Sequence, residues 1–392
     1  MIVLTRRTFL QTTALAAAAP AGQPRRIAIL ANAYPPHMAD RLLVGYPYAG
    51  AWHQPDLRVV SFYQTEPVAD LTTARAREFG FPLYATVAEA LRCGGKRLAV
   101  DGVLIFAGPS ADLLTPCIRV FEQDGRAVPV FHDGPLPGAF DKAKGMVDAA
   151  RRLRFPLLAG SSLPVTWRLP AIDLPLGCQI EEALMVGEGE AMDFHALDGL
   201  QCMVERRHGG ETGVKAVQLL EGDAVWKAGD AGRYSNALLT SALSRSDTPL
   251  GLTVKDGRTQ DLVASGELRK LAKNPKAYCI EYRDGLRATL LMLDGAIQDF
   301  NFAARLNGPP QNQSTQFLMT PEPNATHSAC LMHKVEEMLA TGVAPYPVER
   351  TLLAGGILES AQSSKRENQA RLGTPHLAVT YSPLRSSQFA QA

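Results

Sequence analysis

The chain has 392 residues and a formal net charge of +1, from 40 Lys and Arg against 39 Asp and Glu. That balance lacks the basic excess of a general nucleic-acid binder. Hydrophobic residues at 46% and charged residues at 20% describe an ordinary globular protein, long enough for two domains. Beyond the N-terminal segment, no stretch is apolar for long enough to span a bilayer as a helix.

The N-terminal segment carries a twin-arginine pattern. Thr5, Arg6, Arg7, Thr8, Phe9 and Leu10 precede a short apolar run at 14–19, and Ala19, Pro20 and Ala21 form an A-x-A-like cleavage site. The run is too short for a permanent span. Residues 1–21 are therefore expected to be a removable signal that directs a folded protein to the periplasm or the exterior. Six cysteines at 93, 117, 178, 202, 279 and 330 form no C-x-x-C pair. They read as buried small hydrophobes, with one or two disulfides as the alternative in an oxidising compartment.

Next, in chain order, residues 26–31 form a short apolar strand, 36–44 a helix and 57–63 a second strand. A helix at 70–79 starts at Asp70 and stops at Gly80. A helical turn at 87–91 leads to a third strand at 101–107. A helix at 113–123 closes at Asp124 and Gly125. A strand at 128–131, a helix at 141–153 and a strand at 156–159 then lead into Gly160. Continuous apolar strands between amphipathic helices predict a parallel sheet covered on both faces. This is the doubly wound, Rossmann-type α/β architecture, placed at 22–160.

The rhythm changes at 161. A proline-containing connector at 164–175 precedes a strong helix at 193–207, whose end at Glu205, Arg206 and Arg207 reads as solvated. Strand-like segments follow at 214–220, 277–282, 287–293 and 297–303. Hairpin signals stand at Asp284-Gly285 and Asp294-Gly295. A late helix at 331–339 precedes the segment 348–360. The expectation for 161–392 is an α+β domain: a mostly antiparallel open sheet with helices on one face.

Three passages carry a family resemblance. Residues 128–162 read as strand, polar loop, helix, strand. Phe194, His195, Ala196, Leu197 and Asp198 open a helix with a histidine and an aspartate three residues apart, and 346–360 forms a closing helix. With these, the chain resembles the Gfo/Idh/MocA oxidoreductases over nearly its whole mature length. The resemblance implies NAD- or NADP-dependent oxidation or reduction of a sugar, polyol or related compound in an interdomain cleft. It also implies an open sheet that often supports a dimer or tetramer. Exported members of the family carry their cofactor with them.

By the same resemblance, the dinucleotide would lie along Ala31, Asn32, Ala33 and Tyr34, with Gln64 at the adenosine ribose and Ala107 at the third strand's end. His195 would be the acid–base residue and Asp198 its orienting partner. His132 or Asp133 would assist from the loop where the family has its E-K-P motif. The residues depart from the family at several of these places. The turn from Ala31 to His37 has no glycine and contains Pro35 and Pro36. Gly134 occupies the position of the family lysine, and Ala191 that of a motif aspartate.

Two further residues follow the last strand of the first half. Trp167 is suited to stack on a sugar face and Arg168 to hold a carboxylate or phosphate; alternatively, Trp167 plugs the domain junction. His37, His132, Asp133, His195 and Asp198 lack metal-site spacing, so no metal is expected. The competing function is a non-redox descendant: a secreted carbohydrate-binding or scaffold protein, or a histidine-dependent lyase or hydratase.

Overall fold

The structure is a computed structural model. It describes residues 23–391 except 68–69, 109–110, 190, 248–253, 256–257, 310 and 321–325. The twin-arginine pattern and its cleavage site lie outside the described residues.

The first half alternates β1 (Arg25–Ala31), α1 (Pro36–Val44), a hairpin of β2 (Tyr46–Tyr48) and β3 (Ala51–His53), β4 (Leu57–Gln64), α2 (Asp70–Phe79), β5 (Leu83–Tyr84), α3 (Val87–Arg92), β6 (Gly102–Phe106), α4 (Leu114–Asp124), β7 (Val130–Asp133), α5 (Phe140–Leu153) and β8 (Leu157–Gly160). Six of these strands form a fully parallel sheet in the order β5-β4-β1-β6-β7-β8. The order reverses between β1 and β6, which opens a crevice at the carboxyl ends of the strands. The β2–β3 hairpin was not expected from the sequence.

The second half contains β9 (Arg168–Leu169), β10 (Ile180–Gly187), α6 (Asp193–Val204), β11 (Val214–Glu221), α7 (Asp223–Asp230), α8 (Asn236–Leu243), the small pair β12 (Val254–Lys255) and β13 (Arg258–Thr259), α9 (Glu267–Leu271), β14 (Lys276–Tyr282), β15 (Arg287–Met292), β16 (Phe300–Leu306), β17 (Asn312–Phe317), α10 (Thr326–Thr341), α11 (Glu349–Arg366) and β18 (Leu372–Gly373). Its eight-stranded sheet runs β18-β11-β14-β15-β10-β16-β17-β9 and is antiparallel except where β10 meets β15. The Asp284-Gly285 turn is a true hairpin between β14 and β15. The one at Asp294-Gly295 is not, because β10 lies between β15 and β16 in the sheet.

Three apolar clusters show how the layers stack. One buries α3, α4 and α5 against the parallel sheet and continues through α6 and α11 onto the inner face of the second sheet. Another buries α1 and α10 on the opposite face of the parallel sheet. Helix α10 thus returns from late in the chain to cover the first domain. It comes so close to β6 that a Cβ added to Gly102 would sit 2.3 Å from the Leu339 side chain.

The third cluster places α7, α8 and α9 on the outer face of the second sheet. That sheet is therefore covered on both faces, not on one. Leu184, Val186 and Leu291 point outward from it and need this apolar cover. The six cysteines are free, and four of them are buried. Among the described residues, no helix is long and apolar enough to cross a membrane.

Candidate active site

The carboxyl ends of strands β7 and β8 meet the first turn of α6. Asp133 at the end of β7 pairs in register with Gly160 at the end of β8, and the Gly134 N–H donates to the Gly160 carbonyl at 3.0 Å. Gly160 has φ +128°, and a Cβ there would lie 2.7 Å from Asp198 Oδ2 and 2.8 Å from Thr351 Oγ1. Only glycine permits this approach of strand end to helix. It brings Ser161 against α6.

Ser161 and α6 then make the central contact. The Ser161 N–H donates to Asp198 Oδ2 at 2.8 Å, and Ser161 Oγ lies 2.8 Å from His195 Nδ1. Ser161 Oγ also accepts the Leu163 N–H at 3.0 Å. Asp198 therefore holds the imidazole through an intervening serine, a correction to the direct pair expected from the helix spacing. The start of α6 is pinned to the second sheet by Asp193, which accepts from Tyr278 Oη at 2.8 Å and Lys276 Nζ at 3.4 Å.

Electrostatics follow from enclosure. Burial pushes the His195 pKa down to about 4, which keeps the ring neutral at pH 7. Burial raises Asp198 to about 6, opposed by the nearby Arg350 charge. Asp133 is likewise raised to about 6 by burial. His132, one residue earlier, is fully buried, and burial lowers it to about 4. Neither of its ring nitrogens has a hydrogen-bond partner among the described residues. It lies in the sheet interior, on the opposite side of the strand from Asp133.

His327, in the first turn of α10, was missed by sequence reasoning. Burial lowers its pKa to about 4, with further lowering by Arg41, His37 and His195. It therefore sits within the electrostatic reach of both α1 and α6. A lone histidine more than a hundred residues from either helix carries no sequence signal for this.

Asn32, Tyr34 and Gln64, three of the residues expected to hold a dinucleotide, have bonds within the fold. The Asn32 N–H donates to the Phe106 carbonyl at 3.1 Å, and the Asn32 carbonyl accepts the Glu66 N–H at 3.0 Å. Tyr34 is buried, stacked on Phe62 with ring centroids 5.8 Å apart, and donates to Asp40 at 2.5 Å. Gln64 is consumed by its own loop: Nε2 donates to the Pro67 carbonyl at 2.9 Å, and Oε1 accepts from Thr72 at 2.9 Å. It is not free for a ribose. Ala33 is exposed, and Ala107 is buried at the end of β6. Pro35 and Pro36 bring no N–H to the start of α1. A pyrophosphate cradle needs free backbone N–H groups and a glycine-permitted approach. These residues do not supply it in the usual form.

Arg168 is also withdrawn from ligand binding. Its guanidinium is buried and donates to the carbonyls of Ile172 at 3.1 Å and Pro164 at 3.3 Å. It sits 4.3 Å above the Phe389 ring. Trp167 is partly buried against the α1–α10 cluster, at the junction of the domains. The expected solvated end at Glu205, Arg206 and Arg207 is instead among the most buried polar segments of the fold. Glu205 pairs with Arg350 at 2.6 Å, Arg206 with Asp173 at 3.0 Å and Arg207 with Glu211 at 2.9 Å. No group of three or more His, Cys, Asp or Glu side chains suited to a metal occurs among the described residues.

No protein-family profile and no curated protein matches the sequence. Solved structures do match the fold. GenD2 from gentamicin A biosynthesis, in complex with NAD, aligns with TM-score 0.57 and 12% identity, covering 92% of this chain and 99% of that one. The myo-inositol dehydrogenase of Lactobacillus casei, in complex with NAD(H) and myo-inositol, aligns with TM-score 0.56 and 12% identity over the same shares. A Gfo/Idh/MocA family oxidoreductase from Vibrio cholerae aligns with TM-score 0.52 and 14% identity, covering 88% and 100%. The chain has the fold of these enzymes across nearly all of its length.

Proposed function

We propose that this chain, built on the fold of the Gfo/Idh/MocA oxidoreductases, is an exported acid–base enzyme acting on a hydroxyl- or carbonyl-bearing carbon of a sugar- or polyol-like ligand. The observation that carries the reading is the His195–Ser161–Asp198 chain at the carboxyl ends of the parallel strands. A neutral, partly exposed imidazole is held there by buried partners. Such an imidazole is prepared to handle a proton on a ligand oxygen. Asp133, one strand over and raised to about 6 by burial, is a second group able to exchange a proton at the same strand ends.

Two chemistries use that centre. Oxidoreduction with NAD or NADP is supported by the fold and by neighbours solved with NAD. Non-redox elimination or hydration is supported by the Pro35–Pro36 turn and the engaged Gln64. A dinucleotide would supply hydride chemistry; the residues here would position the ligand and handle the proton.

The test starts with the exported protein, denatured and examined by absorbance and mass for released nicotinamide. Turnover is then followed on a panel of polyols, aldoses and keto-sugars, myo-inositol among them, with and without NAD(P). NAD(P)-dependent turnover establishes the oxidoreductase; turnover independent of NAD(P) establishes the non-redox enzyme. In either case His195→Gln is expected to lower kcat by about 10²- to 10⁴-fold. Full turnover in that variant, or none by the wild type on any member, sinks the reading.

A further inference from the structure

We propose that Ser161 is a positioning residue that holds His195 in the tautomer with its proton on Nε2, so that the site offers a hydrogen-bond donor to an acceptor oxygen of the ligand. The inference rests on the preceding reading of His195 as the acting group. Ser161 is fully buried, so its hydroxyl hydrogen needs an acceptor inside the protein. The Leu163 N–H already occupies one lone pair of Oγ at 3.0 Å. Among the described residues, the acceptor within reach is His195 Nδ1 at 2.8 Å.

A serine that donates to Nδ1 leaves the imidazole proton on Nε2. The opposite tautomer would place an Nδ1–H on Oγ and strand the hydroxyl hydrogen in a buried place, which is costly. Burial of His195 disfavours the imidazolium as well, so the ring is neutral near pH 7. Asp198 completes the device by fixing the Ser161 N–H, and Gly160 lets the strand end come close enough for both contacts.

The consequence is a substrate preference. A neutral N–H donor polarises an oxygen that accepts, as an uncharged imidazole does at a carbonyl. The donor suits the carbonyl form best, a keto-sugar or keto-polyol; a hydroxyl can still accept from Nε2–H, but its own proton cannot pass to that nitrogen while Ser161 holds Nδ1.

The experiment uses the full chain labelled with ¹⁵N-histidine and long-range ¹H–¹⁵N correlation, with the His195 signals assigned by their loss in His195→Gln. The expected wild-type spectrum has an unprotonated Nδ1 and a protonated Nε2, unchanged between pH 8 and pH 5. Ser161→Ala should shift both signals toward a tautomer average, and Ser161→Thr should restore the wild-type pattern. A wild-type Nδ1–H, or an imidazolium at pH 7, overturns the proposal. A Ser161→Ala spectrum identical to wild type removes Ser161 from it. Should Ser161→Ala not fold, the wild-type spectrum alone decides. The spectra require no substrate, so unchanged turnover in His195→Gln would defeat the enzymatic reading without touching the tautomer result.

Discussion

At the scale of single residues, His132 is the clearest departure from ordinary burial. Its ring has no exposed surface and no hydrogen-bond partner among the described residues, and burial lowers its pKa to about 4. An unfolded histidine titrates near 6.5. As pH falls from about 6.5 to about 4, the unfolded chain gains a proton that the folded chain refuses. Stability therefore declines through that window and levels off below it. The full effect is up to about 3 kcal/mol. His132→Leu should remove it: urea unfolding at pH 7 and pH 5 should show a smaller loss on acidification than in the wild type. Equal losses would mean that other groups set the acid limb. A collapse of turnover in the same variant would instead give His132 a part in the chemistry.

At the scale of elements, α6 carries His195 and Asp198 and runs at its C-terminal end into a buried ionic network. Arg350 on α11 reaches Glu205 through two bonds, at 2.9 and 2.6 Å, and stands 4.5 Å over the Tyr346 ring. Breaking one side of such a pair leaves an uncompensated charge indoors. Arg350→Met should cost about 3–5 kcal/mol, while Arg350→Met with Glu205→Leu should cost distinctly less. Equilibrium urea unfolding of the single and double variants checks this; a double variant as unstable as the single one would show that the pair is not the main term.

The same helix shows what was legible in the sequence. Its start, with His195 and Asp198 on one face, could be read from local pattern, as could every strand of the parallel sheet except β5, from apolar runs broken by helical periods. Burial just past its far end could not, because Arg206 finds its partners in the connector and the late chain and Arg207 reaches Asp284 as well as nearby Glu211. Nor could the role of Ser161, which meets His195 across 34 residues of sequence. Strand β10 was missed because Glu181 and Glu182 interrupt its alternation, although Glu182 is buried and bonded to Arg305 at 3.0 Å. The Asp294-Gly295 turn misled because a turn signal fixes a local reversal, not which strand becomes the neighbour.

At the scale of the whole molecule, the two sheets are joined by late chain. Helix α10 covers the first sheet, α11 lies against α5 and α6, and the terminal segment crosses both domains. Tyr381 donates to Glu205 at 2.8 Å, the carbonyls of Leu384 and Arg385 accept from Arg206 at 3.1 and 3.0 Å, and the Ala390 N–H donates to Val165 at 2.9 Å. A chain ending at Thr380 loses all of these and uncovers two buried guanidinium groups. It should be destabilised by at least about 3 kcal/mol, with a lower Tm by differential scanning calorimetry. An unchanged Tm would show the segment to be a passive covering.

The position of β10 has a consequence in time. It lies at the heart of the second sheet, yet both its neighbours, β15 and β16, follow it by roughly a hundred residues or more. A growing chain therefore displays β10 with two bare edges until late in synthesis. Closing those long loops sets the pace of folding, and the interval before closure is when aggregation threatens. Completion of the sheet must wait for nearly all of the polypeptide. A twin-arginine passage, which carries cargo already folded, would suit that schedule better than threading the chain through a pore strand by strand.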